Sequence, residues 1–494
     1  MKIVMVSSEI APYSKTGGLG EAVGGLAREL ARRGHQVFCV APYYRCSWGL
    51  ARAKASGMKL TVPIGSKQLT ADIYEAVESV SRREQGRGGD REPVNENLNL
   101  VFVRRDEYFD RSELYSTPER DYEDNAERFI FLSKVAVEWL RVRELYPDAV
   151  HCHDWQTALV PLLVRLEEQA QHVRIATRTV FTIHNLAYQG IFWSLDFPMT
   201  NLPWQFFTPD GLEFYGQMNL LKAGIVFTDI LTTVSPTYAS EIQTPEGGFG
   251  LENAVKARAE RLRGILNGVD YAEWNPETDR HIARNYSASD LSGKEDCKRA
   301  LLERFGLDGD GNAPVIGMVS RLTGQKGIEL VEEAFDRILG LGTRLVVLGK
   351  GELKFERFWH DAAKRHPKLV GVRIAQDEAL AHQIEAGADM LLMPSKFEPC
   401  GLNQMYSLRY GTVPVVRATG GLADTVRERG PSTGEGNGFS FAAYDANDLV
   451  ACLERVVAMY RDKPQWERLQ RNGMGCDFSW RKCVEQYLEL YEKG

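Results

Sequence analysis

At 494 residues the chain exceeds what one ordinary hydrophobic core organises, so two or three domains are expected. Its net charge of −7 argues against a general nucleic-acid binder and a basic membrane patch, and no run approaches the ~18 consecutive apolar residues of a membrane span. The first apolar run is short and meets Glu9 at once, so no signal peptide is expected, and the eight cysteines contain no C-x-x-C pair, which fits reduced thiols in a cytoplasm.

In chain order, residues 2–7 form a short apolar strand, followed by Lys15-Thr16-Gly17-Gly18-Leu19-Gly20 and a helix over 21–33. That helix carries Val23, Leu26, Ala27 and Leu30 at helical spacing, Gly34 stops it, and a strand over 36–41 completes a β-α-β unit. Such a unit implies a parallel sheet with a right-handed crossover. Further strands are expected at 58–64, 69–80 and 98–104. Residues 81–97, rich in Arg, Glu, Gly and Asn, read as a flexible hairpin insert without chemistry. A helix over 125–143, a strand ending at Cys152, a helix over 156–167 and strands at 178–183 and 231–234 follow. Most of the rings in 191–215 are expected to fill a core. His151-Cys152-His153 holds metal-ligating residue types, but strand alternation is taken to separate them, so no metal site is expected there.

Near Arg263 the pattern shifts, which places a domain boundary there. Beyond it the opening grammar repeats: strand 314–319, a loop with Arg321 and Lys326, Gly327, helix 328–339, strand 344–348. Strands at 369–374, 389–393 and 413–416 alternate with helices, and helices at about 446–461, 464–473 and 480–492 close the chain. The expected fold class is therefore α/β with two doubly wound, Rossmann-like domains, over 1–262 and 263–476, and a terminal segment 477–494. Ligands of such sheets bind outside the carboxyl ends of the strands. If the two domains face one another, those loops line one cleft.

The loops carry the chemistry. Gly17 and Gly18 let a backbone approach an anion, a helix start offers unpaired N–H groups, and Lys15 adds a full charge; a tight turn with a solvated lysine is the plain alternative. Arg321 and Lys326 set two cations after a strand, a clamp suited to a diphosphate that gains charge as it leaves. In Pro394-Ser395-Lys396-Phe397-Glu398-Pro399-Cys400-Gly401-Leu402-Asn403-Gln404, the Cys400 to Asn403 amides can meet another anionic group, and Glu398 can accept hydrogen bonds from sugar hydroxyls. The plain alternative for Glu398 is an acid favoured by the dipole near a helix start, an effect of about 0.3–1 kcal/mol. Asp154 reads as a ligand or a helix cap, and His184 ends a strand on the same face as the other candidates.

These motifs together resemble bacterial glycogen synthases and plant starch synthases. The resemblance also rests on His151-Cys152-His153-Asp154-Trp155, His184-Asn185-Leu186-Ala187-Tyr188-Gln189-Gly190, Leu266-Asn267-Gly268-Val269-Asp270, Thr419-Gly420-Gly421-Leu422-Ala423-Asp424 and Asp477-Phe478-Ser479-Trp480, and it spans nearly the whole chain outside 81–97. It implies the GT-B architecture, the last helix returning to the first domain. It also implies transfer of glucose from ADP-glucose to the non-reducing end of an α-1,4-glucan such as glycogen, with retention and without a metal or other cofactor. By the same resemblance Glu398, His184, Asp154, Arg321 and Lys326 carry catalysis. Lys15, Gly17, Gly18, Glu21, Tyr115, Asn267, Cys400, Gly401, Leu402 and Asn403 bind substrate. The partners implied are the nucleotide sugar and the glucan, with no nucleic acid and no membrane.

Three positions depart from the family pattern: Glu21 where Asp is frequent, Gln376 where some relatives carry an adenine-stacking aromatic, and Tyr406 where many glycosyltransferases of this architecture carry a second Glu. A two-lobed dehydrogenase is the rival enzyme, but Ala41-Pro42-Tyr43-Tyr44 follows the second strand where that fold wants an acid. A glucan-binding scaffold without activity is the other rival, and the joint presence of Lys15, Arg321, Lys326 and Glu398 argues against it.

Overall fold

The computed structural model describes residues 1–82, 94–117, 120–176, 178–309, 312–428 and 435–493. The chain divides into two compact units, one of Met1–Val234, Ala239–Gly268 and Trp480–Gly494, the other of Ser235–Tyr238 and Val269–Ser479. The first unit thus runs six residues past the expected boundary at 262, and the chain re-enters it at Trp480 rather than at Asp477.

The first unit is built on nine strands: β1 Lys2–Val6, β2 Gln36–Pro42, β3 Lys54–Ile64, β4 Lys67–Arg82, β5 Val94–Arg104, β6 Ala149–His153, β7 Arg178–Ile183, and two later ones. A small antiparallel sheet intervenes, of β8 Ile191–Trp193, β9 Glu213–Phe214 and β10 Gln217–Asn219; then β11 Ile230–Thr233 and β12 Leu262–Gly264 complete the main sheet. Its order is β12-β11-β7-β6-β1-β2-β5-β4-β3, parallel except where β3, β4 and β5 pair antiparallel. Ile3, Val4, Met5 and Val6 have no exposure, because a parallel strand covered on both faces is apolar throughout rather than alternating. The chain direction across the sheet reverses between β1 and β6, so the loops after these two strands flank the crevice where such sheets hold ligands. Helix Trp480–Lys493 packs on helix Gly18–Arg32, and small residues make room for it: a Cβ on Gly25 would lie 1.9 Å from Trp480 Nε1, and one on Gly268 2.6 Å from the Trp480 backbone.

The second unit carries six parallel strands, β13 Val315–Val319, β14 Arg344–Gly349, β15 Val370–Ile374, β16 Met390–Met393, β17 Val413–Arg417 and β18 Phe439–Phe441, in the order β15-β14-β13-β16-β17-β18. This is the doubly wound order, with its reversal between β13 and β16. Helices Ile328–Gly340, Leu353–Arg365 and Ala446–Arg461 bury Ile328, Val331, Phe335, Trp359, Leu449 and Leu453 against one face of that sheet.

Several expectations change. The first helix begins at Gly18, not at residue 21, so Gly18 and Gly20 form its first turn instead of a preceding loop. The helix expected over 156–167 is a 3₁₀ turn Trp155–Thr157 followed by helix Val160–Gln171. Strand pairing extends into the expected insert as far as Arg82 and Val94; residues 83–93 lie outside the described residues. His151 and His153 share a face, their rings 4.1 Å apart, because residues two apart on a strand point the same way; alternation separates only Cys152 from them. The 191–215 rings do not mostly fill a core: Phe197 is buried, but Trp193 at the end of β8, Trp204 in a 3₁₀ turn and Tyr215 in the turn between β9 and β10 are 70%, 61% and 85% exposed. Among the described residues all eight cysteines are free, and no helix is long and apolar enough to cross a membrane.

Candidate active site

In the first unit the predicted residues gather after β1, β6 and β7. Exposed Lys15 pairs with half-buried Glu21 at 2.7 Å, across the first turn of helix Gly18–Arg32. A Cβ on Gly17 would meet nothing within 4 Å, so the protein's own packing there does not demand a glycine. Gly20 is constrained: its Cβ would sit 2.9 Å from Ser14 O and from Lys15 Cβ. The loop is held by Glu9, which the sequence reading did not single out. Its buried carboxylate accepts from Thr16 N at 2.6 Å, Thr16 Oγ1 at 2.7 Å and the Tyr115 hydroxyl at 2.7 Å. Burial and the Glu9 charge keep the Tyr115 phenol far above its ordinary pKa, so it acts as a neutral donor.

Asp154 is not a side-chain helix cap. Its backbone takes φ +56°, rare for a non-glycine residue, and its carboxylate accepts from His184 N at 2.7 Å. Burial pushes its pKa up to about 7, against the opposing hydrogen bonds from the His184 and Asn185 backbones. His184 Nε2 meets His153 Nδ1 at 3.1 Å, and His153 packs on His151, whose nitrogens meet Tyr491 OH at 2.7 Å and Thr182 Oγ1 at 2.6 Å. Desolvation holds His151 and His184 down to about 3 and His153 well below its ordinary value, so the three rings are neutral near pH 7. Asn267, 4% exposed, stands one residue before the chain leaves this unit at Gly268, and its buried Oδ1 has no hydrogen-bond partner among the described residues.

In the second unit the loops after β13 and β16 are zipped together. Lys396 N donates to Gln325 O at 2.8 Å, and Gln325 Nε2 to Phe397 O at 3.3 Å. Gly327, at φ +70°, would place a Cβ 2.0 Å from Pro394 O. This brings Lys326 Nζ to 2.5 Å from Glu398 Oε2, which also accepts from Ser395 Oγ at 2.9 Å. The pair is secluded, with side-chain exposures of 17% for Lys326 and 7% for Glu398. Arg321, from the same loop, is exposed. The structure therefore joins two groups to which the sequence assigns separate duties: the cation expected to face a diphosphate is the counter-ion of the carboxylate expected to accept from sugar hydroxyls.

Cys400 is buried and Gly401 takes φ +72° where the chain turns into helix Asn403–Arg409, with Leu402 at its cap position. Asn403 Nδ2 donates to Val319 O at 2.5 Å, tying that helix start to the end of β13. The Thr419-Gly420-Gly421 segment clasps the same loop from the other side. Gly421 N donates to Glu398 O at 3.1 Å, and a Cβ on Gly420, at φ +45°, would lie 2.0 Å from that oxygen. Ser235 Oγ donates to Pro399 O at 2.7 Å. Ser395 and Ser235 left no sequence signal, because a serine's role here depends on what the fold sets beside it. Exposed Gln376 opens the turn after β15, and Tyr406 lies stacked on Trp274 with ring centroids 3.9 Å apart.

Comparison with known proteins identifies the family. A family described as "Starch synthase catalytic domain" matches residues 2–257, and one described as "Glycosyl transferases group 1" matches 302–473. The chain is 44% identical to a glycogen synthase of Koribacter versatilis over 100% of this chain and 98% of that one. It is 46% identical to a glycogen synthase of Myxococcus xanthus over 99% of both. Among solved structures, the catalytic domain of starch synthase IV from Arabidopsis thaliana, bound to ADP and acarbose, superposes with a TM-score of 0.89 at 34% identity, covering 99% of this chain and 98% of that one. A sucrose-phosphate synthase from Thermosynechococcus elongatus shares the fold alone, with a TM-score of 0.58 at 16% identity. The chain, an α/β protein of GT-B fold, belongs to the glycogen and starch synthase family of glycosyltransferases, which build glycogen by glucosyl transfer.

Proposed function

We propose that the protein transfers glucose from ADP-glucose to the non-reducing end of an α-1,4-glucan, with retention at the anomeric carbon and with no metal in the reaction. The observation that carries this reading is the junction of the β13 and β16 loops, where Arg321, Lys326 and Glu398 are presented at the switch point of a doubly wound sheet. When the bond between the glucosyl anomeric carbon and the diphosphate breaks, negative charge collects on the departing ADP. Arg321 and Lys326 offset it, as preorganised cations do for a leaving group. Positive character develops at the sugar, where Glu398 accepts from the glucosyl hydroxyls and lowers the energy of that charge. The Cys400–Asn403 backbone holds a phosphate at the start of its helix.

On the first unit, Lys15, Gly17, Gly18 and Glu21 meet the donor, with Tyr115 supporting them through Glu9. The His184 backbone carbonyl faces the anomeric centre, and Asp154 fixes the backbone at that position; Asn267 supplies its buried amide oxygen as an acceptor. The exposed rings Trp193, Trp204 and Tyr215 offer apolar faces on which pyranose rings of the glucan stack. The test is incubation with labelled ADP-glucose and glycogen in the presence of a chelator, with UDP-glucose as competitor. Label in the polymer, persisting under chelation and little affected by UDP-glucose, is expected. Bound glucan without incorporation, or incorporation that needs added metal, refutes the proposal.

A further inference from the structure

Trp274 lies between two rings of the second unit: His382 at 3.8 Å and 10° on one face, and Tyr406 at 3.9 Å and 2° on the other. His382 is 1% exposed. Its Nδ1 lies 2.7 Å from Asp279 Oδ2, the same oxygen that accepts from the Tyr410 hydroxyl at 2.6 Å. His281 N donates to the other oxygen, Oδ1, at 2.7 Å, so three contacts fix the Asp279 carboxylate behind the ring. The other ring nitrogen, Nε2, is buried and has no hydrogen-bond partner among the described residues.

The His382 ring has two carboxylates for company. Glu378 stands one helical turn before His382 on helix Glu378–Gly387, so the two share a helix face. Glu273 comes from the turn that carries Trp274. One ligand atom from each of Glu273, Glu378 and His382 lies within 4.8 Å of the other two, and this is the one such group among the described residues. A buried imidazole whose Nδ1 is fixed by a carboxylate is the arrangement that presents Nε2 as a metal ligand, since the carboxylate sets the tautomer and raises the basicity of the free nitrogen.

We propose that Glu273, Glu378 and His382 bind a first-row transition-metal dication of the zinc class, with Asp279 as the outer-shell partner of the histidine. One imidazole and two carboxylates suit such an ion better than magnesium or calcium, which favour oxygen ligands alone. Bonds of about 2.0–2.2 Å bring tetrahedral ligands to about 3.4 Å from one another. Both glutamates are exposed, so small rotations of their side chains close the remaining distance. The metal ties the turn at Glu273 to the first turn of helix Glu378–Gly387. It takes no part in glucosyl transfer, so this inference stands or falls separately from the reaction proposed above.

The experiment titrates the full chain, stripped by a chelator, with zinc chloride, and follows heat and tryptophan emission. The wild type is expected to bind one zinc ion saturably, with a change in emission from Trp274, which is stacked on the ligand. The Glu273→Gln/Glu378→Gln double variant alters two exposed side chains outside the transfer machinery, so its glucan synthesis under chelation is expected to match wild type. Its zinc affinity is expected to fall at least tenfold, and the emission change to vanish. Cobalt absorption in the wild type is expected to lack thiolate charge-transfer bands. No saturable site, a loss under tenfold in the double variant, or cobalt–thiolate bands overturns the proposal.

Discussion

Replacing Glu398 with Gln separates its two roles. In the folded chain the carboxylate is the counter-ion of Lys326 at 2.5 Å and the acceptor for Ser395 Oγ at 2.9 Å. An amide of nearly the same size keeps an acceptor for Ser395 but leaves Lys326 without that full opposite charge. Breaking a fully buried pair costs about 3–5 kcal/mol. Lys326 keeps 17% side-chain exposure, so water takes up part of the loss and a destabilisation of about 1–3 kcal/mol is expected in the absence of ligand. ADP then supplies the missing negative charge, and its affinity is expected to hold or to tighten by up to about tenfold, roughly 1.4 kcal/mol. Transfer is expected to fall by about a hundredfold or more, near 2.7 kcal/mol on the barrier, because the glucosyl group loses its charged acceptor. The assays are ADP binding by calorimetry, glucose incorporation into glycogen, and a thermal melt to show that the variant is folded. Unchanged incorporation refutes the role of Glu398 in transfer. Loss of ADP affinity in proportion to the rate moves Glu398 into the nucleotide site instead.

Three other outcomes are expected. Arg321→Ala and Lys326→Ala each lower kcat by about two orders of magnitude, the value of one preorganised charge at a leaving group; near-normal turnover in both folded variants refutes the clamp. Gly420→Ala forces a Cβ to within 2.0 Å of Glu398 O at φ +45°, so it costs about 1–3 kcal/mol of stability and at least about tenfold in transfer. Gly340→Ala, whose Cβ meets nothing within 4 Å, changes stability by no more than about 0.5 kcal/mol, and equal melts for the two variants refute the steric argument. Acid weakens the fold through the histidine stack. Bases whose folded pKa is depressed give stability that is complete above about 6.5 and lost as pH falls through the folded values, about 3 for His151 and His184. Asp154, raised to about 7, acts in the opposite sense: its contribution is full below about 3.9 and lost as pH rises through 7. Three histidines outweigh one aspartate, so urea midpoints drop between pH 6.5 and pH 4. His151→Phe reduces the slope by up to about 1.4 kcal/mol per pH unit, and an unchanged slope refutes the assignment.

The sequence by itself determined the class of fold. Apolar runs such as Ile3–Val6 and Val315–Val319 show fully covered parallel strands, and the alternation with amphipathic helices admits few topologies. It also marks candidate loops, because glycine, proline and charge cluster after particular strands, and the long motifs between 15 and 404 are specific enough to point to a family. It did not determine what each charge faces. Lys326 and Glu398 lie 72 residues apart, Glu9 and Tyr115 106 apart, His151 and Tyr491 340 apart, and each pair meets only when the packed fold sets distant segments side by side. Nor was burial legible in short irregular segments: the rings of 191–215 have core composition, yet Trp193 at a strand end and Trp204 and Tyr215 in turns lie in solvent. Nothing in the local sequence marks His382. Its fixed Nδ1, its stacking on Trp274 and its place beside Glu273 arise from Asp279, Trp274 and Glu273, all more than a hundred residues earlier in the chain. Local patterns set the elements because backbone geometry is local, whereas a site is a set of long-range distances that only the packed sheet and its crossovers establish.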